Sequence, residues 1–307
     1  MPPRFSLTVG APLRFSPDGS RLVCLGANVV INDIVNHQRL WVSRAIKHPS
    51  EVSFSPNGEM LAVKSTSGRI VVLDTESGAV IHDHRNQKEG EGCAPFFCPD
   101  GQMLIDAAWH GALAVRNATS GAIQSQEAFP GEQLQRLSQS ADRQTWLLQR
   151  HPRYNDIREA SHNGFVSVHT WPLIPGTGRI IWFPFNATNA ALSPDGKLCC
   201  FSEICPTPTL RIARVSDGEI LARSAASTPA HGQEITWSPD GSLIASVERH
   251  RFVFFSASDL SQVAEVPAKY PSSIAFRPGT QEVALGTWNA SAIAPISEVL
   301  QGHIKMK

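Results

Sequence analysis

No apolar run in this chain approaches the roughly 18 residues that a membrane-crossing helix needs. The first twenty residues lack the apolar core and small-residue cleavage site of a secretory leader, so neither feature is expected. There is no excess of charge of either sign. Lys and Arg total 27, Asp and Glu total 27, and the net charge is zero. Nucleic-acid binders carry a basic excess and peripheral membrane anchors a polybasic segment, so neither nucleic acid nor membrane is an expected partner. The six cysteines, Cys24, Cys93, Cys98, Cys199, Cys200 and Cys205, do not form the CxxC pairs of zinc sites. A 307-residue chain does not need a disulfide framework. Reduced, buried cysteines in a cytoplasmic protein are the expectation. There is no HExxH, no GxSxG and no GxxxxGK, and Gly176-Thr177-Gly178 is too short for a nucleotide fingerprint. His82 and His84 share one face of a strand with no third ligand nearby in sequence, which reads as a solvated edge strand. No catalytic activity, cofactor or metal is expected.

What the chain does contain is a repeat. Phe15-Ser16-Pro17-Asp18-Gly19 recurs as Phe54-Ser55-Pro56-Asn57-Gly58, Phe97-Cys98-Pro99-Asp100-Gly101, Leu192-Ser193-Pro194-Asp195-Gly196 and Trp237-Ser238-Pro239-Asp240-Gly241. Phe276-Arg277-Pro278-Gly279 is a worn copy, and Leu137-Ser138-Gln139-Ser140-Ala141-Asp142 a degenerate one whose Gln139 takes the Pro position. In each unit an apolar residue ends a strand. Pro then presets φ, Asp or Asn bonds back to the backbone, and Gly accepts positive φ. A short apolar strand follows, then a third, alternating strand such as Arg69–Asp74, then a second Gly turn and a fourth strand. Four short strands per period of about 44 residues predict an all-β, seven-bladed β-propeller with four antiparallel strands per blade. One domain spans 1–307, with blades near 10–43, 50–83, 93–128, 133–184, 188–224, 232–266 and 271–303. The last blade reads as Ser272–Phe276, Glu282–Thr287, Ala290–Ile296 and Glu298–His303, and Arg4–Thr8 is an extra segment expected to help close the ring.

These turns and strand counts resemble the WD40 and WD40-like β-propeller repeat family over essentially the full length. The Trp-Asp dipeptide of that family is absent. Its positions hold Asn32-Asp33, Leu73-Asp74, Arg116-Asn117 and Ala213-Arg214. Gly-His survives only as Gly302-His303, with lone His48 and His231 near that position in two other units. The family's His–Ser/Thr–Asp–Trp tetrad is therefore broken in most blades, and neighbouring classes with the same turns, such as TolB-like propellers, stay open.

The resemblance implies a scaffold that holds a protein or peptide partner on one face, either as a monomer or within a hetero-complex. Two alternatives stand beside it: an enzyme or small-ligand site at the central channel mouth, and a structural subunit of a larger assembly. Second-to-third strand turns and fourth-to-first connections share one face. That face would carry Trp109, His110, Arg249, His250, Arg251 and Trp288, with Arg150, Arg153 and Tyr154 from the long loop Arg150–Asn163 of the fourth unit. Exposed Trp and Arg are common interface anchors. Trp109 and Trp288 could equally pack between blades.

Overall fold

A computed structural model describes residues 11–84, 92–152, 165–172, 178–181, 187–203, 208–225, 234–304 and 306. They form seven antiparallel sheets in chain order. Blade 1 is Leu13–Phe15, Arg21–Leu25, Val29–Asp33 and Gln38–Ser43; blade 2 is Pro49–Phe54, Met60–Ser65, Ile70–Asp74 and Val80–His84. Blade 3 is Phe96–Phe97, Met103–Ala107, Ala112–Asn117 and Ile123–Ala128; blade 4 is Glu132–Gln139, Thr145–Pro152, Phe165–Thr170 and Arg179–Ile181. Blade 5 is Ala187–Leu192, Leu198–Glu203, Thr209–Arg214 and Ile220–Arg223; blade 6 is Ile235–Trp237, Leu243–Val247, Arg251–Ser256 and Gln262–Pro267. Among the described residues blade 7 has three strands, Pro271–Phe276, Glu282–Thr287 and Ser291–Pro295. The seven-bladed expectation holds. The segment Arg4–Thr8 lies outside the described residues.

Three details depart from the sequence reading. The third strands do not alternate. Ile70, Val71, Val72 and Leu73 are all buried, as are Phe252, Val253, Phe254 and Phe255. A middle strand is covered on both faces by the neighbouring blades, so both of its side-chain sets are apolar. The outermost strands are half-exposed, as in Ile123–Ala128. The chain after Pro295 forms a helix, Ile296–Leu300, where a strand was expected. Ile296 and Val299, three apart, fall on one helical face and join the core between blades 6 and 7. Gly302, at φ +70, ends the helix, its N–H bonded to the Val299 carbonyl. In blade 4 the turn sits two residues later than read. Ser140, Ala141, Asp142 and Arg143 occupy the Ser, Pro, Asp and Gly positions, because the Ser140 hydroxyl bonds to Asp142 and Thr145 N–H bonds to Ser140 Oγ.

The turn chemistry repeats in the units that carry Ser before the Pro. Ser16, Ser193 and Ser238 donate their hydroxyls to Asp18, Asp195 and Asp240 at 2.5–2.6 Å. The same oxygens accept the N–H groups of Arg21, Leu198 and Leu243 at 2.9 Å. The serine hydroxyl and the backbone N–H beyond it hold the Asp240 carboxyl below its usual range. Hydrogen bonds to the ionised form have this sign.

The core is distributed. Seven apolar clusters lie one at each blade interface. That between blades 1 and 2 holds Val23, Ile31, Phe54 and Leu61, and that between blades 7 and 1 holds Leu13, Phe15, Leu22, Ala275 and Ala284. Burial of each such side chain contributes about 1.5–3 kcal/mol. Several polar groups are buried within this apolar core. Fully buried Lys64 of blade 2 donates to Asp106 of blade 3 at 2.7 Å and to the Ala107 carbonyl at 3.1 Å. Trp146 stacks on His169 at 4.3 Å, and His169 meets Ser167 at 2.9 Å. His84 is buried, not solvated. Burial first, then the charge of His82 and Arg116, lowers its pKa to about 4, and burial lowers that of His169 to about 4 as well.

Removing one partner of a buried ion pair strands the other, at roughly 3–5 kcal/mol. Lys64→Met should therefore lower unfolding free energy by about 3 kcal/mol. The double change Lys64→Met/Asp106→Leu should recover only part of that loss, because Asp106 also pairs with buried Arg116 at 3.9 Å, read as urea midpoints. The two histidines give a second expectation. Unfolded histidine protonates near pH 6.5, and these two resist protonation until about pH 4. Their neutral burial therefore supports the fold above pH 6.5, and stability should fall as pH drops from 6.5 toward 4. His169→Phe should flatten that slope in melting curves.

Candidate binding faces and central channel

Each blade starts at the ring's centre, so the fourth-to-first connections and the second-to-third turns emerge together. Trp288 sits at the tip of one such turn and is 72% exposed. Thr287 builds that turn, its Oγ1 accepting the N–H groups of Asn289 and Ala290. Trp288 N–H bonds the Tyr270 carbonyl at 3.1 Å, and the two rings lie 6.3 Å apart. Tyr270 is 53% exposed and holds φ +55, a left-handed conformation unusual for an aromatic residue. The Lys269 ammonium lies 5.4 Å from the Tyr270 ring. Arg249 and His250 are exposed beside them, and the His250 carbonyl accepts Ala268 N–H. Blades 6 and 7 thus present two aromatics among Lys, Arg and His.

Trp109 and His110 occupy the matching turn of blade 3, both exposed, with Trp109 at 46%. That turn needs Gly111, at φ +92, where a Cβ would stand 2.4 Å from the Phe129 carbonyl oxygen. Trp109 and Trp288 therefore stand out in solvent and do not pack between blades. Arg251 is half-buried and bound to Glu248 and Glu265. Arg150 is not at the exposed face at all. It is buried, bidentate to Glu132 at 2.6 and 2.9 Å, with its guanidinium carbon 3.8 Å from the centre of the Phe129 ring. Its β-strand position turned the charge onto a neighbouring strand. Arg153 and Tyr154 lie outside the described residues. Sequence reading missed Tyr270 and Lys269. Their signal was the recurrence of Lys47-His48-Pro49 as Lys269-Tyr270-Pro271, and His48 also holds positive φ, at +50.

The central channel was also missed, because its polar residues come one per blade. Arg14 of blade 1 pairs with Glu234, just before blade 6, at 2.6 Å. Glu234 also accepts the Ser273 hydroxyl at 2.8 Å and Ile274 N–H at 3.2 Å. Glu51 of blade 2 and Arg136 of blade 4 line the same passage. Most of what surrounds Glu51 is protein, and burial pushes its carboxyl above the usual range, opposed by Arg14 and Arg136. The five described cysteines are buried and unpaired, and burial lifts the Cys24 thiol to about 12, so none offers a ready thiolate. No group of three metal-ligating side chains occurs among the described residues.

Comparison with known proteins supports the repeat class. A family model described as the anaphase-promoting complex subunit 4 WD40 domain matches residues 26–96. The 77 kDa echinoderm microtubule-associated protein of Lytechinus variegatus is 34% identical over 80 residues, which is 26% of this chain and 12% of that one. Its counterpart in Strongylocentrotus purpuratus is 30% identical over 92 residues, covering 30% of this chain and 13% of that protein. Over these stretches the chain is similar to WD40 repeats, and its fold is a seven-bladed β-propeller. The chain spans a small fraction of the length of the curated relatives it matches. Solved propellers overlay almost the whole of it. The Cps50 (Swd1) β-propeller domain of Myceliophteria thermophila has a TM-score of 0.74 at 13% identity, covering 94% of this chain and 98% of that one. Kuenenia stuttgartiensis hydrazine synthase has a TM-score of 0.74 at 16% identity, covering 94% and 97%. At such identities these overlays establish the fold alone.

The raised Glu51 sets a pH test. An unfolded Glu ionises near pH 4.3, whereas folded Glu51 keeps its proton to higher pH. The stability this contributes is fully present below about pH 4.3 and is lost as pH rises through the folded value. Glu51→Gln should therefore raise the melting temperature at pH 8 and leave it unchanged at pH 3.5.

Proposed function

We propose that this WD40 propeller is a non-catalytic platform that holds a protein or peptide partner on the face of its second-to-third turns. The observation that carries this reading is the exposed pair Trp288 and Tyr270, set among Lys269, Arg249 and His250 at blades 6 and 7. Monomers seldom leave large aromatics this open without use. A backbone strained at Tyr270 to display its ring fits a site kept for recognition. Trp109 and His110 add a second contact region at blade 3. The buried, unpaired cysteines support a reducing compartment, the cytoplasm, as its location.

The test is affinity capture from lysate of the native source with the parent chain and with a Trp109→Ala/His250→Ala/Tyr270→Ala/Trp288→Ala variant. All four side chains are exposed, so the variant should melt within about 2 °C of the parent. A partner retained by the parent and lost by the variant is the expected result. Equal retention by both would move the partner to another surface.

A further inference from the structure

The channel widens on the opposite face, that of the Ser-Pro-Asp-Gly turns, into a cavity of about 510 Å³. Volumes of this size accommodate small organic ligands. Its wall is mixed, with Phe15, Phe54, Phe96, Trp237 and Phe276 supplying aromatic surface, and the turns of several blades rim it. Four charged side chains line it: Arg14, Arg136, Arg143 and Glu234. Arg14 and Glu234 neutralise each other at 2.6 Å. Arg136 and Arg143 remain, and neither makes an ion pair among the described residues. Glu51 lies at the smaller cavity toward the other face, where burial favours its neutral form.

Arg143 is where the repeat is broken. The glycines at its position, Gly19, Gly58, Gly101, Gly196 and Gly241, hold φ between +69 and +74, and Arg143 holds +59. A side chain at that angle costs free energy that glycine avoids. The chain accepts the cost and gains a guanidinium that crosses from blade 4 to donate to the Phe54 carbonyl of blade 2 at 3.1 Å. Among the described residues that is one bond for a group with five donors. Burial lowers its pKa to about 10, as expected of a partly desolvated cation with no carboxylate beside it. Arg136 is aimed inward by a register shift between Leu134 and Arg136 in the innermost strand.

We propose that this cavity binds a small organic anion, its charged group held by Arg143, its apolar body by the aromatic side chains of the wall, with Arg136 at the junction with the smaller cavity adding positive charge. Guanidinium forks suit carboxylate and phosphate alike. The site is independent of the partner-binding face and lies on the other side of the disc.

Titration calorimetry on the full chain tests this, with benzoate and phenyl phosphate as probes, benzamide as the neutral control and inorganic phosphate as the head group alone. We expect at least one aromatic anion to bind saturably and benzamide not to bind. Affinity should weaken at least about tenfold in Arg143→Gly, the loss of one charge-assisted contact, and by less in Arg136→Gln, which removes only a more distant charge. Arg143→Gly restores the residue used by the regular turns, so it should melt no lower than the parent. Failure of both aromatic anions to saturate would overturn the proposal, as would binding of inorganic phosphate alone or unchanged affinity in Arg143→Gly. A marked drop in the melting temperature of Arg143→Gly would do the same, because it would make Arg143 a structural tie.

Discussion

A ring of sheets holds only if its first and last members meet, and every other contact here depends on that closure. Blade 7 meets blade 1 through Ala275 and Ala284 against Leu13, Phe15 and Leu22. Polar groups then fix the register. Ser273 of blade 7 accepts Leu13 N–H and donates to Glu234, which pairs with Arg14. Arg277 reaches from the last turn to the Gly19 carbonyl at 2.7 Å. The contact is close enough that a Cβ on Gly19 would stand 2.7 Å from the Pro278 carbonyl oxygen. Burying Glu234 is tolerable because it bridges three blades at once.

Given closure, each blade needs only to be apolar on both sides and to turn correctly. That explains why the buried polar groups are free to vary. The Lys64–Asp106 ion pair links blades 2 and 3, whereas the Trp146–His169 stack and the Glu203–Arg211 ion pair lie within blades 4 and 5. The turns vary less, because the Ser–Asp bond and the positive φ are needed locally to reverse the chain. The single turn that gives up its glycine does so at the rim of the channel.

The two faces are therefore chemically distinct. One displays aromatics and cations at loop tips on blades 6, 7 and 3. The other funnels into a cavity of mixed lining with two guanidinium groups that make no ion pair among the described residues. A rigid disc can serve both, since neither site requires a change in blade packing.

The number of blades, their antiparallel strands and the regular turns were legible in the sequence. A Ser-Pro-Asp-Gly turn is specified by contiguous residues whose hydrogen bonds close within five positions. The exposed tips Trp109, His110, His250 and Trp288 were legible for the same reason, as residues at turns. Where the local signal weakened, reading slipped. The blade 4 turn moved two residues when Pro and Gly were both missing, and Ile296–Leu300 was taken for a strand because so short an apolar pattern does not discriminate. The orientation of Arg150 toward Glu132, the exposure of Tyr270 and the meeting of Arg14, Glu51, Arg136 and Glu234 were decided only by tertiary structure. Those four residues are separated by tens to hundreds of positions and converge because each innermost strand turns one face to a common axis. Their alignment depends on every blade's register and on the closure of the ring, which no local segment encodes.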